Sequence, residues 1–241
     1  MTRIGLITPS SNTVLEPEIY RLLSDVPEVT AHFARFTVLK IGLDTGALDQ
    51  FHLEPQLAAA ELLADCRPDV IAWCGTSGGW MGLDQHRALC AAITDRTGCP
   101  ATSSALAQMA AFEALNCRTY GLVTPYLSGI QDKIVQTFGA EGYECIAEEH
   151  LEDPGNFSFS TYQPDQIAGM VARVAGAKPD AISIFCTNFN GAGIAPGLEK
   201  RFGIPVIDST ALTLWHALLL AGADPAIVPG QGTLFSRNPA A

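Results

Sequence analysis

Gly5-Leu-Ile-Thr-Pro-Ser10 returns 116 residues later as Gly121-Leu-Val-Thr-Pro-Tyr126. Asp69-Val-Ile-Ala-Trp-Cys-Gly75-Thr76-Ser77 returns as Asp180-Ala-Ile-Ser-Ile-Phe-Cys186-Thr187-Asn188, and Gly98-Cys-Pro-Ala-Thr-Ser-Ser104 as Gly203-Ile-Pro-Val-Ile-Asp-Ser209. Landmarks repeated in one order are the signature of a duplicated folding unit. Each is an apolar run closing on small or turn-forming residues, as a buried strand does where it gives way to a helix. Strand patterns cover 3–8, 31–38, 70–74, 101–102, 120–124, 145–149, 181–185 and 206–207. Helical patterns cover 15–23, 55–66, 83–97, 105–115, 128–141, 164–175, 197–202 and 212–221. The alternation predicts an α/β fold of two pseudo-symmetric Rossmann-like (flavodoxin-like) halves. Each half has a parallel sheet, and the active site lies in the cleft between them.

The first half is placed at 1–112 and the second at 113–211. Helix 212–221 and the tail Gly230-Gln-Gly-Thr-Leu-Phe235 have no partner in the repeat, so segment 212–241 is expected to complete the first half. The stretch 150–160 fits neither repeat and is expected to loop over the cleft.

At 241 residues, 48% hydrophobic and 16% charged, the chain has enough apolar content for two helix-covered sheets. No uninterrupted apolar run of about 18 residues predicts a membrane span. Met1-Thr-Arg-Ile-Gly-Leu6 enters a strand pattern at once, which predicts a chain without a signal peptide. Seven cysteines, lacking CxxC or Cys/His ligand spacing, predict a reducing cytoplasm and no metal site. A net charge of −11, with the 14 basic residues scattered, argues against nucleic acid. A small carboxylate or dicarboxylate substrate must then be met by local hydroxyls and N–H groups.

In the second landmark Cys186 stands where the first half has Gly75. A cysteine ending a buried strand beside a helix N-terminus is open to activation, because the dipole and free N–H groups lower a thiol pKa from about 8.5. Cys74 is one residue out of register, paired by the repeat with Phe185. Alternate strand residues face opposite ways, so Cys74 is expected to turn from the cleft. Cys66, Cys90, Cys99, Cys117 and Cys145 lack polar company and read as small buried hydrophobes.

Gly75-Thr76-Ser77-Gly78-Gly79 offers backbone N–H groups and two hydroxyls after a strand, a nest for a carboxylate or enediolate oxygen. It has neither the Gly-Lys-Ser/Thr ending of a nucleoside-triphosphate loop nor dinucleotide-binding spacing, so no cofactor is predicted. Pro9, Ser10 and Asn12 follow the first strand, and Tyr126 lies in the matching loop of the second half. These loops face the Gly75 loop if the halves are pseudo-symmetric, and Asn12 is equally suited to cap the next helix. Thr187 and Asn188, directly after Cys186, complete the candidate binding set with Gly75. The five histidines join no Asp, Ser or Cys constellation, and His216 reads as a structural residue of helix 212–221.

These residues resemble those of the aspartate/glutamate racemase superfamily, in the branch holding arylmalonate decarboxylase and maleate cis-trans isomerase. The resemblance runs the length of the chain. It includes Pro9-Ser-Ser-Asn-Thr13, Gly75-Thr-Ser77, Thr124-Pro-Tyr126, the Cys186 strand end, Gly203-Ile-Pro-Val206, Leu214-Trp-His216 and Pro229-Gly-Gln-Gly-Thr-Leu-Phe235. Racemases and maleate isomerases of this superfamily carry a cysteine in each half, whereas Gly75 with the lone Cys186 is similar to the decarboxylase pattern. That match implies that Thr76, Ser77 and Tyr126 hold a carboxylate and the nascent enediolate while Cys186 delivers a proton. The Pro9–Asn12 loop is similar to the isomerase loop, whose asparagine contacts a substrate carboxylate.

The leading expectation is a cofactor-independent, stereospecific decarboxylase of a malonate-type diacid. Two-base racemisation needs an acid and a base on opposite faces. One thiol does not supply both, and a cysteine introduced at position 75 is expected to supply the second. The alternatives are cis-trans isomerisation of a maleate-like diacid through a Cys186 thiolate, a related amino-acid or hydantoin racemase, and a non-catalytic diacid sensor.

Overall fold

The computed structural model describes residues 1–237, apart from the side chains at 48 and 49. β1 (Thr2–Pro9), β2 (Val29–Phe36), β3 (Val70–Trp73) and β4 (Ala101–Ser103) form a parallel sheet in the order β2-β1-β3-β4. β5 (Thr119–Thr124), β6 (Glu144–His150), β7 (Ala181–Ile184) and β8 (Val206–Asp208) form a second in the order β6-β5-β7-β8. The same order in both sheets is the duplication in physical form. Even its anchors repeat. Asp69 accepts the Arg3 N–H at 2.7 Å, and Asp180 accepts those of Arg118 and Thr119 at 2.9 and 2.8 Å. β3 and β7 are buried along their whole length, as strands covered on both faces must be.

The helices of the first half are α1 (Leu15–Leu22), α2 (Thr45–Leu48), α3 (Leu53–Ala64), α4 (Gly78–Met81), α5 (Leu83–Thr97) and α6 (Ser104–Ala114). Those of the second are α7 (Ser128–Ala140), α8 (Pro164–Ala175), α9 (Ala195–Phe202) and α10 (Ser209–Leu220). All eight helical patterns in the sequence are realised; α2 and α4 are additions. Among the described residues no helix is long and apolar enough to cross a membrane.

One expectation needs correcting. α10 follows β8 as α6 follows β4, so helix 212–221 does have a counterpart in the repeat. Both helices are capped from the strand end: Ser103 Oγ accepts the Leu106 N–H at 3.2 Å, and Asp208 accepts those of Thr210 and Ala211 at 2.8 and 3.2 Å. The pair is exchanged between halves. Phe112 of α6 packs on Tyr120 and Phe138 of the second half, and Gln108 accepts a hydrogen bond from Ser183 of β7. α10 packs on α1, β3 and β4 of the first half. The helices also meet each other, with the Thr213 hydroxyl donating to Ser104 at 2.7 Å. The tail after α10 reaches the second half as well. The Thr233 N–H donates to Glu199 of α9 at 2.7 Å, and the Trp215 indole donates to the Arg237 carbonyl at 3.2 Å. Residues 238–241 of that segment lie outside the described residues.

Asp208 carries a cost as well as a cap. Its second carboxylate oxygen is buried without a partner, and burial raises its pKa to about 7 against the two N–H bonds that lower it. A folded-state pKa above the unfolded value contributes stability that is present at low pH and is lost as pH rises through the folded value. The melting temperature should therefore fall as pH rises from about 4 to 7. Asp208→Asn keeps the capping oxygen and removes the titration, so its melting temperature should be flatter over that range. Circular-dichroism melts of both proteins across the window check this; parallel slopes would contradict it.

Candidate active site

Every candidate site loop leaves the C-terminal end of a parallel strand, where open α/β sheets bind ligands. From the first half these are the loop after β1, the segment after β2, and the turn after β3 that leads into α4. From the second half they are the loops after β5, β6 and β7. They close around a cavity of about 30 Å³ lined by Pro9, Asn12, Gly75, Thr76, Ser77, Tyr126, Cys186, Thr187 and Asn188. All the expected site residues meet there except Ser10. The Ser10 hydroxyl accepts the Val38 N–H at 3.1 Å, so it holds the exit of β2 rather than a ligand. The cavity has room for about two waters. A ligand larger than that fits only if the covering segments give way.

Cys186 lies in the pocket wall, and Cys74 does not. The Cys74 thiol is fully buried and turned back toward the Ala72 carbonyl, as its register predicts. The environment of Cys186 differs from the one expected. No helix starts beside it, because a turn follows and α9 begins only at Ala195. Burial dominates and pushes the thiol pKa up to about 12, although the Tyr126 hydroxyl and the Asn188 N–H favour the thiolate. The resting group is a protonated thiol. Tyr126 is likewise held neutral, raised first by burial and then by Cys186. Its ring is gripped edge-on by Trp80 and Phe159, and its hydroxyl shares a 2.7 Å hydrogen bond with Thr76.

The polar wall is more fully committed than the residue types suggest. Asn12 Oδ1 accepts the Val14 and Leu15 N–H groups, and its Nδ2 donates to Thr187 at 3.1 Å, so it is both helix cap and pocket residue. Thr187 passes its proton to the Cys74 carbonyl at 3.0 Å, which leaves it nothing to donate to an anion. Asn188 accepts the Thr13 N–H and donates to the Asn156 carbonyl at 2.7 Å. Among the described residues, the N–H groups of Thr76 and Ser77 have no protein acceptor, so the nest after β3 is free to bind. Gly79 serves a different purpose. A Cβ there would sit 2.6 Å from the Phe185 ring, so this glycine permits close packing.

Several site residues have no distinct mark in the sequence. Asn156 belongs to the irregular 150–160 stretch, and its Nδ2 donates to the Val38 carbonyl at 3.2 Å across the cleft. Val38, Ile41, Phe51 and Trp80 line an apolar wall, Phe51 and Trp80 meeting edge-on at 6.4 Å. Trp73 also lines the pocket, and its indole N–H is buried without a partner. A larger cavity of about 280 Å³, bordered by Gln56, Met81 and His86, shares Phe51 and Ser77 with this pocket.

A family profile for arylmalonate decarboxylase matches residues 4–235. The chain belongs to that family. It is 28% identical to a maleate isomerase of Pseudomonas putida over 97% of both proteins. It is 25% identical to the arylmalonate decarboxylase of Bordetella bronchiseptica, over 98% of this chain and 97% of that one. A solved variant of a Nocardia farcinica maleate cis-trans isomerase, carrying a covalently bound succinylcysteine intermediate, superposes with a TM-score of 0.88. It is 25% identical over 97% of this chain and 98% of its own. The paired parallel sheets are thus the family's fold, and its members are enzymes.

Within that family fold, the place opposite Cys186 is occupied. A Cβ built on Gly75 would fall 2.1 Å from Trp73 Cζ2. The expectation that a cysteine at 75 alone supplies a second thiol therefore meets an obstacle. Gly75→Cys should displace the indole and give no exchange of an α-proton, whereas Trp73→Ala with Gly75→Cys makes room and should gain exchange. Deuterium uptake from D2O into one enantiomer of an α-substituted acid, followed by chiral chromatography, reads both. Exchange by Gly75→Cys alone, with Trp73 emission unaltered, would show that the indole does not hold that space.

Proposed function

We propose that this chain decarboxylates a malonate-type diacid and protonates the resulting enediolate on one face. The observation that carries the proposal is the pairing of one protonated thiol, Cys186, with an indole where a second thiol would stand. The Thr76 and Ser77 hydroxyls, their N–H groups and Tyr126 receive one carboxylate. The other carboxylate is placed against Val38, Ile41, Phe51 and Trp80, where charge is poorly solvated. Breaking the bond to that carboxylate releases CO2 and leaves its electron pair on the retained carboxylate as an enediolate, which the hydroxyl and N–H donors stabilise. The Cys186 proton then passes to the α-carbon, and the thiolate left behind is reprotonated from solvent. An α-substituent has room in the larger cavity once Phe51 moves.

Isomerisation of a maleate-like diacid is supported by a different observation. Asn12 and Asn188 each retain an uncommitted amide hydrogen at the pocket, suited to a second carboxylate. That reaction needs a Cys186 thiolate to add to the double bond, and burial opposes the thiolate.

The two reactions separate cleanly. CO2 release from an α-substituted malonate, without conversion of maleate to fumarate, is the expected result; the reverse would replace the first reading by the second. Cys186→Ser should lower turnover by about 10²–10⁴-fold, the usual worth of a positioned proton donor. Cys74→Ala should retain most of it. Because the thiol titrates only near 12, turnover should show no loss of the acid form between neutral pH and about pH 10. A descending limb near pH 8 would mean that Cys186 ionises far more easily than its burial implies.

A further inference from the structure

Behind the pocket, Ser77 is joined to two buried side chains that the reaction above leaves unused. Ser77 Oγ lies 3.0 Å from His86 Nε2, and His86 Nδ1 lies 2.7 Å from Ser103 Oγ. His86 comes from α5 and Ser103 from the end of β4, and the three residues are at most 3% exposed. The histidine fits under the site loop because residue 78 is glycine; a Cβ there would be 2.8 Å from His86 Cγ. The sequence expectation that no histidine joins a serine constellation is therefore corrected.

The direction of this chain can be derived. Burial holds the imidazole neutral, its pKa lowered to about 3, so one ring nitrogen donates and the other accepts. Ser103 Oγ already accepts the Leu106 N–H, and its only other partner among the described residues is His86 Nδ1. If Nδ1 carried the proton, the Ser103 hydroxyl hydrogen would be buried with no acceptor, a costly arrangement. If Ser103 donates to Nδ1, every group is satisfied. Nε2–H then donates to Ser77 Oγ, and the Ser77 proton is left to point into the pocket.

We propose that Ser103 and His86 form a one-way relay that fixes Ser77 as a hydrogen-bond donor to the substrate carboxylate. His86 is a positioning residue, since it acts on the substrate carboxylate through Ser77. In the opposite polarity Ser77 would present lone pairs to an anion and repel it. The relay supplies orientation without charge, which suits a pocket where a cation would trap the anion in its ground state. The proposal rests on the reading that Ser77 meets a carboxylate, and its test separates the two.

Nitrogen-15 NMR of histidine-labelled protein without substrate should find His86 protonated at Nε2 and bare at Nδ1 down to mildly acidic pH. Protonation at Nδ1 would overturn the relay. His86→Phe should lower kcat/KM about tenfold, the worth of one oriented hydrogen bond, in a protein that still folds but melts lower because the Ser103 hydroxyl loses its acceptor. Ser103→Ala should lower it similarly and disturb the His86 nitrogen shifts, while Ser103→Thr restores both. Wild-type kinetics in a folded His86→Phe protein, with Ser77→Ala impaired, would overturn the positioning role. If neither variant is impaired while the Nε2–H form is present, the substrate role of Ser77 falls and the hydrogen-bond chain itself stands.

Discussion

The exchange of α6 and α10 is the constraint on which the rest of the molecule depends. Each helix stays against the end of its own sheet and also packs across the boundary on the other half, so the two halves share this layer. The buried Ser104–Thr213 and Gln108–Ser183 hydrogen bonds fix the register of the crossing, because a slip would strand polar groups in an apolar interior. Two sheets locked in this way present the C-terminal ends of their strands to one another. The pocket is the space that remains. Its walls come from six loops, but their relative positions are set by two helices that do not touch it.

The electrostatics of the pocket follow from that closure. Among the described residues no lysine, arginine or histidine lines it, in a chain with a net charge of −11. The titratable groups that do line it, Cys186 and Tyr126, are pushed by burial toward their neutral forms. An anion is therefore met by dipoles and hydroxyl protons alone. Such donors hold a localised carboxylate less tightly than a cation would, and they are already oriented when charge moves during the reaction. For the proposed reaction a neutral thiol is the natural acid, because it needs no partner to load it with a proton before the transfer to carbon.

Much of the fold was legible because the duplication repeats strand ends, and strand ends carry the turn residues that punctuate a sequence. The side on which Cys74 and Cys186 fall was legible for the same reason, since strand side chains alternate with period two. What escaped was whatever depends on where side chains meet in three dimensions rather than on the pattern of strand ends. Ser10 and Asn12 are near neighbours of similar type, and only the path of β2 decides that one binds Val38 while the other reaches the pocket. Trp73 reads as an ordinary strand residue until a glycine two places on leaves its ring the room. His86 lies nine residues past Ser77, on α5 rather than in the turn after β3, with no local pattern to join them. The thiol pKa was misjudged because a helix N-terminus was inferred where a turn stands, and burial then decided the direction.

Divergence within the duplication shows how one fold came to hold an asymmetric site. The scaffold residues stayed alike: Asp69 and Asp180 anchor equivalent strands, and Ser103 and Asp208 cap equivalent helices. The pocket positions did not. Gly75 faces Cys186, Ser77 corresponds to Asn188, and Ser10 to Tyr126. Even a conserved cap acquired a second task in one half only, Ser103 holding His86 while Asp208 holds no ring. Single-face protonation needs an acid on one side and a chemically silent wall on the other, which two identical halves would not provide. Here the second half supplies thiol and phenol, and the first supplies hydroxyls, free N–H groups and an indole that fills the symmetry-related place. The physical basis of the proposed selectivity is thus a broken symmetry, kept in register by the two helices that the halves exchange.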